Sequence, residues 1–246
     1  KIIHECINSI DKNVPIIVVE NSNDSIFKNE LEKKYNNLTC VLTEENLGMG
    51  TANNIGIKLS KTDYVYVINP DVVLKTDTLD KIFLASNNLK DFSILTPINE
   101  NLNFPNWRRK ERIGISSNTE PLEVDSIDGF SMLLNKKKFF HNNYFDENFF
   151  LYLENEDLCL RTKKEDGLIF IIPSSKVIHL GASSVNLEYK KEVEISRNWH
   201  WLWSKFYYNK KHFGFIKAFL DGFPSFFSSI IKYLFYLITN NNLKKK

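Results

Sequence analysis

Tyr64-Val65-Tyr66-Val67-Ile68-Asn69-Pro70-Asp71 is the stretch whose reading decides the fold. Its first five residues form a short, continuous apolar run of β-branched and aromatic side chains, which reads as a strand buried on both faces. Asn69, Pro70 and Asp71 then stop it, and Asp71 stands at the strand's carboxyl end, where open α/β sheets place their ligands. A carboxylate there can hold a divalent cation. The same three residues also favour turns, so spacing alone leaves a plain turn as an equal reading.

Outward from this strand the pattern alternates. Upstream, Ile2, Ile3, Cys6, Ile7 and Ile10 fall at helical spacing, and a strand follows at Ile16 to Val19. Then come a polar helix near Ile26 to Tyr35, a strand at Leu38 to Leu42 and a helix from Thr51 to Leu59. Short apolar strands separated by helices predict an α/β fold: a doubly wound, mostly parallel sheet with helices on both faces. Such sheets usually open with a strand, and here a helix comes first. We therefore expect the first N-terminal strand to be missing and the natural protein to extend at that end.

Downstream, strands are expected at Phe92 to Thr96, Phe130 to Leu134, Leu168 to Ile172 and Lys176 to His179. Helices are expected at Glu154 to Lys164 and, aromatic-rich, at Glu188 to Tyr208. The irregular stretch Asn99 to Glu120, with Trp107, Arg108 and Arg109, is long enough to suggest an acceptor-side loop. Around Pro224, Phe223, Phe226, Phe227, Ile230, Ile231, Leu234, Leu237 and Ile238 recur at three and four. Ser225, Ser228, Lys232 and Tyr236 fall opposite, which makes an amphipathic helix. Asn240 to Lys246 reads as a frayed polar end.

With 246 residues and 43% hydrophobic content, the chain can bury one sizeable core. A net charge of +2 leaves no electrostatic footprint for nucleic acid. The tail differs: from Lys205 onward eight lysines face Asp221 alone, a balance of 8 − 1 = +7. Cys6, Cys40 and Cys159 are odd in number and far apart, which argues against disulfides and zinc and for a reducing compartment. No secretory signal and no run of about 18 apolar residues is present.

Three further places could carry chemistry. Gly48 and Gly50 bracket the start of the helix that holds Asn53 and Asn54, where backbone can approach a phosphate or ribose; a plain loop explains them as well. In Glu154-Asn155-Glu156-Asp157, carboxylates crowd against apolar neighbours, a setting that raises pKa and suits a general base. An acidic helix start, with Asp157 and Arg161 as an i, i+4 pair, is the structural alternative. His179 closes the run Val177-Ile178-His179, as a ligand or as a structural residue.

Taken in order, these segments resemble glycosyltransferase family 2, in particular its rhamnosyltransferase-like members. The resemblance is carried by Val18 to Asp24, Asn46 to Gly56, Asn69-Pro70-Asp71, Asp128-Gly129, the acidic segment and His179, and reaches about Ser184. It implies a GT-A fold over residues 1–187, with a nucleotide-sugar half (1–98) and an acceptor half (99–187). Residues 188–246 would form a membrane-associating helical appendage. Glu20, Asn21, Asp24, Gly48 and Asn53 would surround the donor nucleotide, with Asn69 and Asp71 at the family's DxD position.

Asp71 and His179 would ligate Mn²⁺ or Mg²⁺, since imidazole with carboxylate suits a borderline cation. The donor would be a dTDP- or UDP-sugar and the acceptor a glycan or polyprenyl-linked glycan, at the cytoplasmic face of the inner membrane. Relatives read Glu-Asp-x-Asp where this chain has Glu154-Asn155-Glu156-Asp157, so the usual base aligns with Asn155, an amide without basicity. Glu154, Glu156 or Asp157 would then replace it, with Glu154 favoured. The competing expectation is a catalytically impaired nucleotide-sugar-binding or scaffold protein. Nucleotidyl transfer would want a basic glycine-rich loop near the front, which is not seen.

Overall fold

The structure, a computed structural model, describes residues 2–101, 103, 105–110, 119–181 and 190–238. The chain divides into two compact units, Lys1–Phe150 with Glu154–Lys190, and Leu151–Leu153 with Lys191–Lys246. The expected boundary at 187 and 188 lies outside the described residues, as does the polar end from 239 on.

The first unit opens with α1 (Ile2–Asn8), and no strand precedes it among the described residues. There follow β1 (Ile16–Glu20), α2 (Ser25–Lys34), β2 (Leu38–Leu42), α3 (Met49–Leu59) and β3 (Tyr64–Ile68), each within about two residues of its expected span. Next come β4 (Val72–Leu74), α4 (Thr78–Asn88), β5 (Phe92–Asn99), and the two-residue strands β6 (Trp107–Arg108), β7 (Leu122–Glu123) and β8 (Ser126–Ile127). β9 (Ser131–Asn135), α5 (Glu154–Lys164) and β10 (Leu168–His179) complete it. The two strands expected in the β10 region are one strand. Its register shifts between Ile172 and Lys176, so the irregularity absorbs Pro173 without ending the ladder.

The sheet departs from the mostly parallel expectation. The main sheet runs β3-β9-β5-β10-β4, with β7 also on β10, and its one parallel pair is β5 with β10. β9 lies antiparallel between β3 and β5. The physical reason for the misreading is that a continuous apolar run reports burial on both faces and carries no information about direction. β9 is buried at all five positions yet antiparallel to both neighbours. β1 and β2 form a separate parallel pair, and β6 pairs with β8.

Side-chain alternation gives the sheet two dry faces. Met132 and Leu134 point to one, packed with Ile57 of α3 and Leu158 and Cys159 of α5. Leu133 points to the other, against Ile82 and Ala85 of α4. Phe92, Leu95 and Ile172 join that second layer. Helices thus cover both faces as expected, and the three cysteines are free and buried.

The second unit consists of α6 (Lys190–Phe213) and α7 (Phe215–Ile238), joined through Gly214 at φ +90°, together with Leu151–Leu153. Within it, Ser204 Oγ donates to the Leu151 carbonyl at 2.7 Å and Tyr152 meets Trp201 edge to face. The amphipathic segment around Pro224 lies within α7. No described helix is long and apolar enough to cross a membrane.

Candidate functional site

Asp71 follows β3 and leads into β4, which pairs antiparallel with the end of β10, His179 opposite Val72. Two backbone bonds fix this corner: Leu180 N–H donates to the Asp71 carbonyl at 2.9 Å, and Asn69 N–H to the Phe130 carbonyl at 2.8 Å. The side chains therefore converge, with His179 Nε2 3.5 Å from Asp71 Oδ2. The Phe130 ring stacks on the imidazole at 4.2 Å. Hydrogen bonding and charge from His179 hold the Asp71 carboxyl below its usual range, and outweigh the opposing effect of burial.

Asp71 Oδ1 is buried with no hydrogen-bond partner. A carboxylate oxygen left so is costly unless something cationic meets it. An imidazole and an orphaned carboxylate oxygen at one sheet edge are a donor set that fits a divalent cation. No cluster of three or more His, Cys, Asp or Glu able to hold a metal exists among the described residues. The chain thus offers two ligands, and the other positions would fall to water and diphosphate oxygens. Burial, with the nearby Asp71 charge, pushes the Cys6 thiol up to about 12, so it is neutral beside this corner.

The residues expected around the nucleotide lie at the carboxyl end of β1 and the start of α3. The Asn21 amide donates to Asn46 Oδ1 and the Gly48 carbonyl, while its Oδ1 accepts from Leu47 N–H at 2.9 Å. It therefore shapes the glycine loop. Gly48 has φ +82°, and a Cβ there would come within 2.4 Å of the Phe150 carbonyl oxygen, so no other residue fits. Asn53 Nδ2 is buried without a partner. Glu20 accepts from Ser22 Oγ. Asp24 caps α2 by accepting from Phe27 N–H at 2.8 Å, which accounts for its carboxylate in structural terms.

The four residues of the acidic segment meet four different environments. Tyr152 and Leu153, both in the left-handed region at φ 71° and 64°, turn the chain into α5. Glu154 is 2% exposed, its Oε2 has no partner, and burial raises its pKa to about 7. Asn155 donates to the Ile127 carbonyl at 2.8 Å and packs on Gly129. Glu156 shares Arg108 Nη1 with Asp128, at 3.0 and 2.9 Å. Asp157 is fully buried against Arg161 Nε at 2.8 Å. Arg161 in turn donates to the carbonyls of Asn143 and Tyr144. Asp157 is therefore a structural anchor for the segment before α5.

One dipeptide links the two halves. Phe130 covers His179 and holds Asn69, while its neighbour Gly129 receives Asn155, where a Cβ would lie 3.0 Å from that of Asn155. The sequence names two further residues of this frame without giving them a role. Asn54 is buried and exchanges hydrogen bonds with the Phe145 backbone in both directions, tying α3 to the acidic segment. Its signal was an amide one position beyond Asn53 on a helix face otherwise apolar. Arg108 was noticed only as part of a loop, and its pairing with Asp128 and Glu156 depends on the β6–β8 ladder. Part of the expected acceptor loop, including 111–118, lies outside the described residues.

Comparison with known proteins agrees with this geometry. The family model described as Glycosyl transferase family 2 matches residues 1–154. The Escherichia coli (strain K12) rhamnosyltransferase WbbL is 27% identical over 202 residues, covering 71% of this chain and 76% of the relative. The N-acetylglucosaminyl-diphospho-decaprenol L-rhamnosyltransferase of Mycobacterium tuberculosis (strain H37Rv) is 25% identical over 217 residues, covering 71% and 69%.

Among solved structures, the Pyrobaculum calidifontis mannosyltransferase PcManGT with GDP-Man and Mn²⁺ superposes at TM-score 0.60 and 12% identity, over 85% of this chain and 60% of that one. GalNAc-T7 with UDP, GalNAc and Mn²⁺ gives 0.60 at 14%, over 85% of this chain and 46% of that one. This chain therefore spans under half of GalNAc-T7, and at such identities the likeness concerns the fold alone. The family model spans more than half of the chain, so the chain belongs to glycosyltransferase family 2 and is a sugar-transferring enzyme of glycan biosynthesis.

Proposed function

We propose that the chain moves a sugar, with rhamnose from a dTDP-sugar as the leading donor and a UDP-sugar as the other, onto a polyprenyl-linked glycan at the cytoplasmic face of the inner membrane. The observation that carries this reading is the Asp71 and His179 corner, two metal-type ligands 3.5 Å apart with one carboxylate oxygen left unmatched. The decaprenol-linked acceptor in the name of the mycobacterial relative supports the lipid acceptor. The Mn²⁺ present with the structural neighbours GalNAc-T7 and PcManGT supports the cation.

In this reading a bound Mn²⁺ or Mg²⁺ supplies charge neutralisation for the departing nucleoside diphosphate. Asp71 and His179 hold it, and Phe130 keeps the imidazole in place. Gly48, Gly50 and Asn53 let backbone and amide approach the donor, while Asn21 keeps the glycine loop in shape. On the opposite face of the sugar a carboxylate takes the proton from the acceptor hydroxyl. The oxygen then bonds to the anomeric carbon as the bond to the diphosphate oxygen breaks, and one displacement inverts the centre.

Glu154 is the carboxylate we assign. Burial has raised its pKa to about 7, near the value at which a base works best at neutral pH. Asp157 is committed to Arg161 and Glu156 to Arg108. The second reading, a nucleotide-sugar-binding protein with impaired transfer, is favoured by Asn155 alone, an amide engaged with the Ile127 carbonyl. Turnover of Glu154→Gln, Glu156→Gln and Asp157→Asn, measured separately with donor, Mn²⁺ and acceptor, tests the assignment. Glu154→Gln should lose at least about a hundredfold, the low end of what a base contributes; comparable activity in all three would leave Glu154 without its role.

A further inference from the structure

α7 has two unlike sides. Ala218 is fully buried, and a Cβ at Gly222 would lie 3.9 Å from the Phe206 ring of α6, so small residues line the side of α7 that meets α6. Asn209 donates to Asp221 on this side, and Phe215, at the boundary between the two sides, meets Phe206 edge to face. On the other side Phe215, Phe219, Phe223 and Phe227 form a ladder one turn apart, with ring centroids 6.2, 5.2 and 5.9 Å from each other. All four are 45% or more exposed, and Ile230 and Leu234 extend the stripe beyond Pro224.

At 3.6 residues per turn these side chains, together with the exposed Leu220 and Ile231, span an arc of roughly 160° along a helix about 36 Å long. The arc contains no acidic residue. Lys217, Asp221, Ser228 and Lys232 all fall outside it. Contiguous apolar surface of this extent marks an interaction site.

The width of the arc identifies the occupant. A partner helix buries a narrow seam, about two positions in seven, and would leave much of this surface wet. A planar interface covers nearly half of a helix cylinder. Charge points the same way, because the lysine excess of 8 − 1 = +7 from Lys205 onward suits acidic headgroups. Lys217, one step beyond the arc's edge and paired with Asp221 at 2.9 Å, can lay its stem along the apolar flank and reach the headgroups with its ammonium group, whereas Lys232 falls on the opposite side of the helix. Trp199 and Trp203 of α6, both about half exposed or more, add residues suited to that boundary. We propose that α7 lies in the plane of an anionic lipid surface, Phe ladder inward and Lys217 at headgroup level, as an interfacial docking helix. This deepens the membrane-side placement proposed above by naming the face and the lipid class.

The test is flotation of the full chain with vesicles of equal parts phosphatidylcholine and phosphatidylglycerol, and with phosphatidylcholine alone. The chain should partition to the mixed vesicles and more weakly to the neutral ones. The combined Phe219→Ser, Phe223→Ser and Phe227→Ser variant should lower the partition coefficient at least about tenfold. Lys217→Gln should lower it about fivefold on the mixed vesicles and leave neutral vesicles unaffected, with Lys232→Gln, on the opposite side, changing it less. The Lys217 variant leaves the apolar arc intact and so covers the case in which the triple variant misfolds. Equal flotation of all variants, or a dimer in sedimentation that only the phenylalanine changes dissolve, overturns the proposal. Transfer to a water-soluble acceptor analogue, measured on the same proteins, reports the sugar-transfer reading separately.

Discussion

The corner at Asp71 and His179 and the acidic start of α5 are both clusters of ionisable groups beside the same Gly129-Phe130 dipeptide, yet they are built on opposite principles. At the corner, two residues 108 positions apart are brought to 3.5 Å by one antiparallel pairing, and one carboxylate oxygen stays unmatched. In the acidic segment, four adjacent residues are separated by the helical turn into four environments. Convergence makes the first a candidate ligand set. Divergence gives the second one isolated acid, one amide and two acids already committed to arginines.

The strongest way to break this contrast is at Asp157. If it is an anchor, Asp157→Ala leaves Arg161 partly buried without its carboxylate, and urea unfolding should show a loss of about 3–5 kcal/mol. An unchanged midpoint would return Asp157 to the list of possible bases. The loss should appear without donor or acceptor, which separates anchoring from chemistry.

Glu154 gives the next largest effect, with a sign set by its pKa. Burial raises its value from 4.5 to about 7, so the folded chain holds this proton more tightly than the unfolded chain does. The resulting destabilisation is absent below pH 4.5, grows as pH rises toward 7 and is complete above that. Glu154→Gln should therefore be more stable than the parent by about 2–3 kcal/mol at alkaline pH and equal to it near pH 4. Parallel stability curves across that range would contradict the burial account.

Arg108 gives the smallest effect. Its side chain is 59% exposed, so its pairs with Asp128 and Glu156 are screened, and Arg108→Gln should cost about 1 kcal/mol or less, more at low salt than at high. A larger, salt-independent loss would mean that the second region is held together much as the first is.

Legibility in the sequence follows the same division. β1 to β3, α2 and α3 could be read because each is a short run with one period, bounded by turn formers. β9 could be located but its direction could not, since its run is buried on both faces. Asp71 and His179 were visible as strand-end residues, and the family pattern proposed their meeting. The structure supplies the cause, the His179–Val72 register. The separate roles of Glu154, Glu156 and Asp157 were not readable, because they depend on Arg108 and Arg161 and on what lies over Glu154. The role of Asn54 was not readable because its partner, the Phe145 backbone, is 91 residues away.

The central claim is that Asp71 and His179 share one dication. Mn²⁺ titration by calorimetry in the presence of a nucleoside diphosphate tests it directly, on the parent chain, Asp71→Asn, His179→Gln and the double variant. Each single change should weaken Mn²⁺ binding by about tenfold or more, with the double variant little worse than the weaker single, as expected for two groups acting on one ion. Parent-like Mn²⁺ affinity in His179→Gln would contradict the account.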